Sequence, residues 1–156
     1  MTTGRNRVYA DTSVYGGIFD PEFERGSKAF FAQVVAGRFQ LLVSPIVRDE
    51  LALAPAHVRS IVDSLGRHAE MLSISEEALS LRRAYLDAGI VGSRWQADAL
   101  HVALATAAGC WAIVSWNFRH IVHFDKIALY NAINVAYGFG SIGIHTPNEV
   151  ISYEDD

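Results

Sequence analysis

Residues 95–117, WQADALHVALATAAGCWAIVSWN, decide the fold class of this chain. From Trp95 to Ala108 nearly every position beyond the first turn, apart from His101, is apolar, which is typical of a helix buried on all sides. Gly109 stands where a helix C-cap is expected, and Trp111–Ser115 then forms an apolar run without alternation, as in a strand covered on both faces. A buried helix followed at once by such a strand predicts an α/β protein with a parallel sheet.

The rest of the chain alternates between strand-like and helix-like segments. Further strands are predicted at 7–10, 41–43, 71–74 and 142–145, and further helices at 23–39, 46–54, 56–69, 75–89 and 124–137. Ser44 before Pro45, and Ser75 before two acids, favour helix starts. This alternation predicts one domain over residues 1–156, an α/β/α sandwich around a mainly parallel sheet, with a frayed acidic tail at 152–156.

Composition excludes several classes of protein. The 156 residues are 51% hydrophobic and 19% charged, which is too apolar for a disordered chain. Thirteen Lys and Arg against seventeen Asp and Glu give a net charge of −4, so a nucleic-acid partner must be bound by a local basic patch. One cysteine, Cys110, cannot form an intrachain disulfide, and no signal peptide or membrane span is evident in the sequence. We therefore expect a cytoplasmic protein with no membrane partner.

Isolated polar residues stand at the ends of apolar elements, where an unpaired carboxylate is costly. Asp11 follows the first strand directly, at the edge where open α/β sheets bind ligands. Asp98 lies in the first turn of the apolar helix, Glu50 lies on the short helix after the second strand, and Asn117 follows the 111–115 strand. Each also has an ordinary explanation, as a helix cap, a dipole-favoured acid, a surface residue and a turn residue respectively.

Taken together, these acids predict a metal site. A parallel sheet brings the carboxyl ends of the first and fourth strands together, and carboxylates gathered there repel one another. A hard divalent cation with oxygen ligands, Mg²⁺ or Mn²⁺, relieves that repulsion. Such an ion also ionises water and neutralises phosphate charge, which is the chemistry of phosphodiester hydrolysis.

Four short segments carry a family resemblance: Val8–Ser13, Pro45–Leu51, Ala97–Ala105 and Ile113–His120. In this order they resemble the signature blocks of the PIN-domain family, and within it the VapC-like toxin ribonucleases of prokaryotic toxin–antitoxin pairs. The resemblance implies an α/β/α sandwich and a metal-dependent endoribonuclease. It also implies a small antitoxin protein as partner and a homodimer, for which the helix 23–39 or the segment 61–72 offers an apolar face.

By this resemblance, the metal ligands are Asp11 and Asp98, and Glu50 completes the site, directly or through water. The family's fourth acid falls at Asn117, an amide that adds no negative charge. Asn117 therefore motivates an alternative hypothesis, a PIN-like fold with weakened catalysis that acts as an RNA-binding or protein-interaction module.

Candidate substrate contacts surround these positions. Ser13 and Ser115 match small hydroxyl positions near the family site, although cap and turn roles explain both equally well. Trp116 stands beside Asn117 and is a candidate for stacking on RNA, whereas Trp95 and Trp111 are expected in the core. Six basic residues are candidate phosphate contacts, with scattered solvated charges as the alternative: Lys28, Arg48, Arg82, Arg83, Arg94 and Arg119.

Overall fold

Five strands and eight α-helices alternate along the chain in a computed structural model that describes residues 5–153. The strands are β1 (Asn6–Ala10), β2 (Phe39–Val43), β3 (Ala69–Met71), β4 (Ala112–Val114) and β5 (Gly143–His145). The helices are α1 (Thr12–Gly17), α2 (Glu24–Val35), α3 (Pro45–Leu51), α4 (Ala56–Leu65), α5 (Glu76–Asp87), α6 (Gln96–Ala107), α7 (Phe124–Ala136) and α8 (Pro147–Val150). Short 3₁₀ turns at Gly66–His68 and Ser93–Trp95 precede β3 and α6.

The five strands form one parallel sheet in the order β3-β2-β1-β4-β5. Tyr9 in β1 is opposite Leu42 in β2 on one side and Ile113 in β4 on the other. Because every pairing is parallel, all the carboxyl ends of the strands lie at one edge of the sheet. The predicted α/β/α sandwich is confirmed, and the ends of β1 and β4 meet as expected.

Local sequence signals explain where several helices begin and end. The Ser44 hydroxyl accepts a hydrogen bond from the backbone N–H of Val47, and Pro45 occupies the first turn of α3. Ser75 caps α5 in the same way. The buried helix α6 ends before Gly109, whose φ of +73° lies in the left-handed region that favours glycine.

Several predicted boundaries were wrong, and the helices predicted at 46–54 and 56–69 end at Leu51 and Leu65. The third strand is Ala69–Met71 rather than 71–74, because its partner β2 ends at Val43, opposite Met71. Beyond that point β2 has no residues left to pair, since Ser44 already begins the next helix. The helix predicted at 23–39 ends at Val35, and Phe39 belongs to β2.

Tryptophan positions also differ from expectation. Trp111 lies just before β4 and is 46% exposed, and Trp95 is only partly buried. Trp116 is the buried one: its indole N–H donates to the Ser27 hydroxyl at 2.9 Å, and its ring stacks on Phe23. Whether an aromatic ring is buried depends on the apolar side chains around it in the folded protein. The position of the residue in a strand or a loop does not determine those neighbours.

The predicted tail at 152–156 is covered only in part. Residues 154–156 lie outside the described residues, while the backbone of Ser152 exchanges two hydrogen bonds with the Gln33 side chain, at 2.9 and 3.0 Å. Among residues 5–153, none of the helices has the length and apolar character needed to cross a membrane.

Candidate active site

Asp11 lies at the carboxyl edge of the sheet, between the ends of β1 and β4. Its side chain is 4% exposed and both carboxylate oxygens accept hydrogen bonds. Oδ1 accepts from the backbone N–H and the hydroxyl of Ser13, at 3.1 and 2.5 Å, and Oδ2 accepts from the Ser115 hydroxyl at 2.7 Å. Asp11 therefore caps α1, and the two serines fix the orientation of its carboxylate.

The electrostatic surroundings of Asp11 do not match those of a structural ion pair. Burial raises its pKa, the charge of His101 and the two serine hydroxyls oppose that rise, and the nearby Asp98 adds to it. Among residues 5–153, no lysine or arginine forms a salt bridge with Asp11. A buried acid beside a second acid is the arrangement that a cation stabilises.

Asp98 occupies the first turn of α6 and is half-buried at the same edge. Burial raises its pKa, whereas the charges of His120 and His101 and the amide of Asn117 lower it, and Glu50 raises it again. The Asp98 carboxylate is thus close enough to both other acids to be affected by their charge. The structure brings the three predicted acids together in one electrostatic cluster.

Glu50 is held at the rim of this cluster by two hydrogen bonds to one oxygen. Its Oε1 accepts from the Thr12 hydroxyl at 2.8 Å and from Nε2 of His101 at 2.7 Å, and its side chain is 40% exposed. Burial favours the neutral acid, but the hydrogen bonds from His101 and Thr12 and the charge of His101 lower the pKa of Glu50 overall. Glu50 is therefore a carboxylate at neutral pH, and its Oε2 accepts no hydrogen bond from the described residues.

A buried chain of hydrogen bonds supports Glu50 from inside the protein. His101 is 2% exposed, and its Nδ1 is 2.6 Å from the Tyr9 hydroxyl, which is 2.7 Å from the Ser44 hydroxyl. Nε2 donates to Glu50, and Nδ1 accepts from Tyr9 when the ring is neutral and donates to it when the ring is charged. In the sequence, His101 stands out only as the polar exception in an apolar helix, and its contacts with Tyr9 and, through Tyr9, with Ser44 were not predicted. A tyrosine in an otherwise apolar buried strand is the available signal, because its hydroxyl needs a partner.

The side chain of Asn117 stabilises the turn after β4. Its Oδ1 accepts from the backbone N–H groups of Arg119 and His120, at 3.1 and 2.9 Å, while its amide group stabilises the ionised Asp98. The oxygen that a metal would need is therefore committed to the backbone. The ordinary explanation of Asn117 as a turn residue holds, and its contact with the site goes through Asp98.

The donor set decides how well these residues fit a divalent cation. Residues 5–153 contain no group of three or more His, Cys, Asp or Glu side chains arranged to hold one metal ion. Since Oε1 of Glu50 is hydrogen-bonded to His101 and Thr12, Asp11 and Asp98 remain as the candidate direct ligands. Mg²⁺ keeps several waters and commonly takes one or two carboxylates, so the pair fits such an ion. The role of Glu50 as the acid that completes the site, directly or through water, stays a prediction.

The candidate substrate contacts differ in burial and in the partners that their side chains already have. Trp116 is buried against Ser27 and Phe23, so its proposed contact with RNA is not supported. Ser13 and Ser115 use their hydroxyl protons on Asp11. Arg119 is exposed in the turn after Asn117, so its contact with phosphate stays a prediction.

Comparison with solved structures identifies the fold. A toxin–antitoxin complex from Klebsiella pneumoniae contains a chain similar to this one, with a TM-score of 0.57 and 16% identity over 76% of this chain and 93% of that one. VapBC2 from Rickettsia felis, bound to a DNA fragment from its promoter, matches with a TM-score of 0.54 and 16% identity over 72% and 89% of the two chains. This chain has a VapC-like PIN-domain fold.

The likeness to VapC-like PIN domains is one of structure. No family model matches the sequence, and no curated protein matches it. Within the PIN-domain fold, the carboxyl edge of the sheet is the place where this chain brings together Asp11, Asp98 and Glu50.

Proposed function

We propose that this protein is a metal-dependent endoribonuclease and the toxin of a toxin–antitoxin pair. The observation that carries the proposal is the pair of acids at the carboxyl edge: Asp11 is buried, Asp98 is half-buried, and the pKa of each is raised by burial and by a neighbouring acid. In the described part of the chain neither carboxylate has an arginine or lysine partner. The similarity to chains of two toxin–antitoxin complexes supports the same function.

Asp11 and Asp98 would hold Mg²⁺ or Mn²⁺, which supplies a more acidic water and neutralises charge on the phosphate. Ser13 and Ser115 keep the Asp11 carboxylate in one orientation through their hydroxyl groups. His101 and Thr12 hold Oε1 of Glu50, which leaves Oε2 to orient the attacking water and accept its proton.

RNA cleavage by purified protein tests this proposal. The wild type is incubated with mixed-sequence RNA and Mg²⁺ or Mn²⁺, beside Asp11→Asn, Asp98→Asn and a sample with EDTA. Asp63→Asn, which removes the same charge from an exposed position on α4, is the matched control. We expect cleavage by the wild type and the control only. Equal cleavage by Asp98→Asn, or cleavage that survives EDTA, contradicts the proposal.

The toxin role has its own test in cells. Induced expression of the wild type should arrest growth, and Asp98→Asn, confirmed as folded by thermal melting, should not. Growth arrest by both proteins would separate toxicity from the carboxylates. An antitoxin partner and a homodimer remain part of the proposal, and the mass of the purified protein in solution tests the second.

Two observations favour the alternative, an RNA-binding module with weakened catalysis. The described residues lack a three-acid ligand group, and the oxygen of Asn117 is bonded to the backbone. A binding module would hold RNA equally well with and without EDTA and would not cleave it. The cleavage assay above therefore distinguishes the two functions.

A further inference from the structure

Four side chains form a cluster beside Asp98, on the two segments that flank the candidate active site. Trp95 lies just before α6, and its ring stacks on His120, with centroids 4.3 Å apart and planes 26° from parallel. The guanidinium carbons of Arg94 and Arg119 lie 5.0 and 6.0 Å from the centroid of the Trp95 ring. Both distances are within the range of a cation–π interaction, so Trp95 holds two positive charges near the acids.

The two guanidinium groups of this cluster have unused hydrogen-bonding capacity. Within residues 5–153, neither forms a salt bridge or donates a side-chain hydrogen bond. Among the other basic side chains, two form salt bridges: Arg7 with Glu70, and Lys28 with Glu24 at 2.5 Å. An arginine guanidinium carries five N–H donors in a planar fork that matches phosphate oxygens. Arg94 and Arg119 are both exposed, so these donors are accessible to a ligand.

His120 provides the second, independent observation. It is 8% exposed, and neither ring nitrogen has a hydrogen-bond partner among the described residues. Burial lowers its pKa, although the nearby Asp98 opposes that effect. A buried polar group without a partner destabilises the fold, and such groups in proteins call for an explanation, of which a bound ligand is one.

We propose that Arg94, Arg119 and His120 bind a phosphate group of the RNA strand next to the one that is cleaved. The inference rests on the proposed function, because the scissile phosphate is the one beside Asp11 and Asp98. The arginines supply charge-assisted donors, and a ring nitrogen of His120 supplies a further contact. Trp95 keeps both guanidinium groups in place before the RNA arrives. The ligand class is a phosphodiester of single-stranded RNA.

Salt dependence of RNA binding tests the phosphate contacts without catalysis. A fluorescent single-stranded RNA is titrated in EDTA at several salt concentrations with wild type, Arg94→Ala/Arg119→Ala and Arg5→Ala/Arg67→Ala. The last variant removes the same charge from residues that precede β1 and β3, at the opposite edge of the sheet. The logarithm of the association constant falls with the logarithm of the salt concentration, and each lost phosphate contact makes this slope less steep by about 0.7. We expect a less steep slope and weaker binding for Arg94→Ala/Arg119→Ala only.

His120→Phe tests the third member of the subsite. Phenylalanine keeps a ring on Trp95 and removes both unpaired nitrogens, so we expect weaker RNA binding with a Tm equal to or above that of the wild type. A His120 that only fills space would give unchanged RNA binding. If His120→Phe does not fold, the arginine variant alone decides.

The outcomes separate this inference from the function on which it rests. Wild-type cleavage together with an unchanged salt slope in Arg94→Ala/Arg119→Ala overturns the subsite and leaves the nuclease. The subsite is equally overturned if the control variant loses as much slope. If the wild type neither binds nor cleaves RNA, both proposals fail.

Discussion

Tyr9→Phe removes one buried oxygen from the hydrogen-bond chain behind Glu50. The Tyr9 ring is fully buried, and its hydroxyl contacts Nδ1 of His101 and the hydroxyl of Ser44. Ser44 keeps its bond from the backbone N–H of Val47, at 3.3 Å. Nδ1 of His101 then loses its hydrogen-bond partner, while the Ser44 oxygen keeps one.

The expected cost follows from that single unpaired atom. Leaving one buried acceptor unsatisfied costs about 1–3 kcal/mol. For a chain of this size each kcal/mol lowers the Tm by roughly 2–4 °C, so Tyr9→Phe should melt roughly 2–12 °C below the wild type. His101→Leu removes the ring nitrogens themselves. Its loss of the hydrogen bond to Glu50 costs little stability, because the Glu50 side chain is 40% exposed to water.

A double-mutant cycle measures whether the chain acts as a unit. Urea unfolding is followed for the wild type, Tyr9→Phe, His101→Leu and the double variant. Since the double variant leaves no unpaired ring nitrogen, its loss of stability should be smaller than the sum of the single losses by about 0.5–3 kcal/mol. Losses that add to within about 0.3 kcal/mol would refute the reasoning.

Three other predictions concern charge and close packing. The pKa of Asp98 is raised in the folded state, so its contribution to stability is present in acid and is lost as pH rises above the ordinary range of an aspartate. In EDTA the Tm of Asp98→Asn, relative to that of the wild type, should therefore increase as pH rises from acid to neutral, and a constant difference contradicts this. A Cβ at Gly17 would lie 2.7 Å from Nε1 of Trp116, while one at Gly16 meets nothing within 4 Å. Gly17→Ala should therefore lower the free energy of unfolding in urea by about 1–3 kcal/mol, and the control Gly16→Ala should not lower it. Equal effects of the two substitutions would contradict this prediction. Asn117→Asp puts a second negative charge beside Asp98, so its Tm in EDTA should be below that of the wild type. When Mn²⁺ is added, its Tm should rise more than that of the wild type. A rise equal to that of the wild type counts against Asp98 as a ligand.

The parts of the fold that follow from local pattern could be predicted from the sequence. An apolar helix, a glycine with positive φ and a two-sided strand leave few arrangements for residues 96–114, and a strand that ends at Asp11 places that acid at the edge of a parallel sheet. The capping serines Ser44 and Ser75 act over three residues, so their roles were readable as well.

The contacts between distant segments could not be predicted in the same way. His101 bonds Tyr9 and Glu50, which are 92 and 51 residues away, and no local pattern records such a pairing. The direction of Glu50 therefore emerged only from the structure, as did the burial of Trp116 and the exposure of Trp111. The end of β3 likewise depends on where its partner strand stops.

Binding of one divalent cation between Asp11 and Asp98 is what the proposed nuclease depends on. Crystals grown with Mn²⁺ and measured at a wavelength where manganese scatters anomalously test it directly. We expect an anomalous peak within bonding distance of both carboxylates, and no such peak in Asp98→Asn. A wild-type crystal with no peak between these two residues, or with manganese bound only elsewhere, would contradict it.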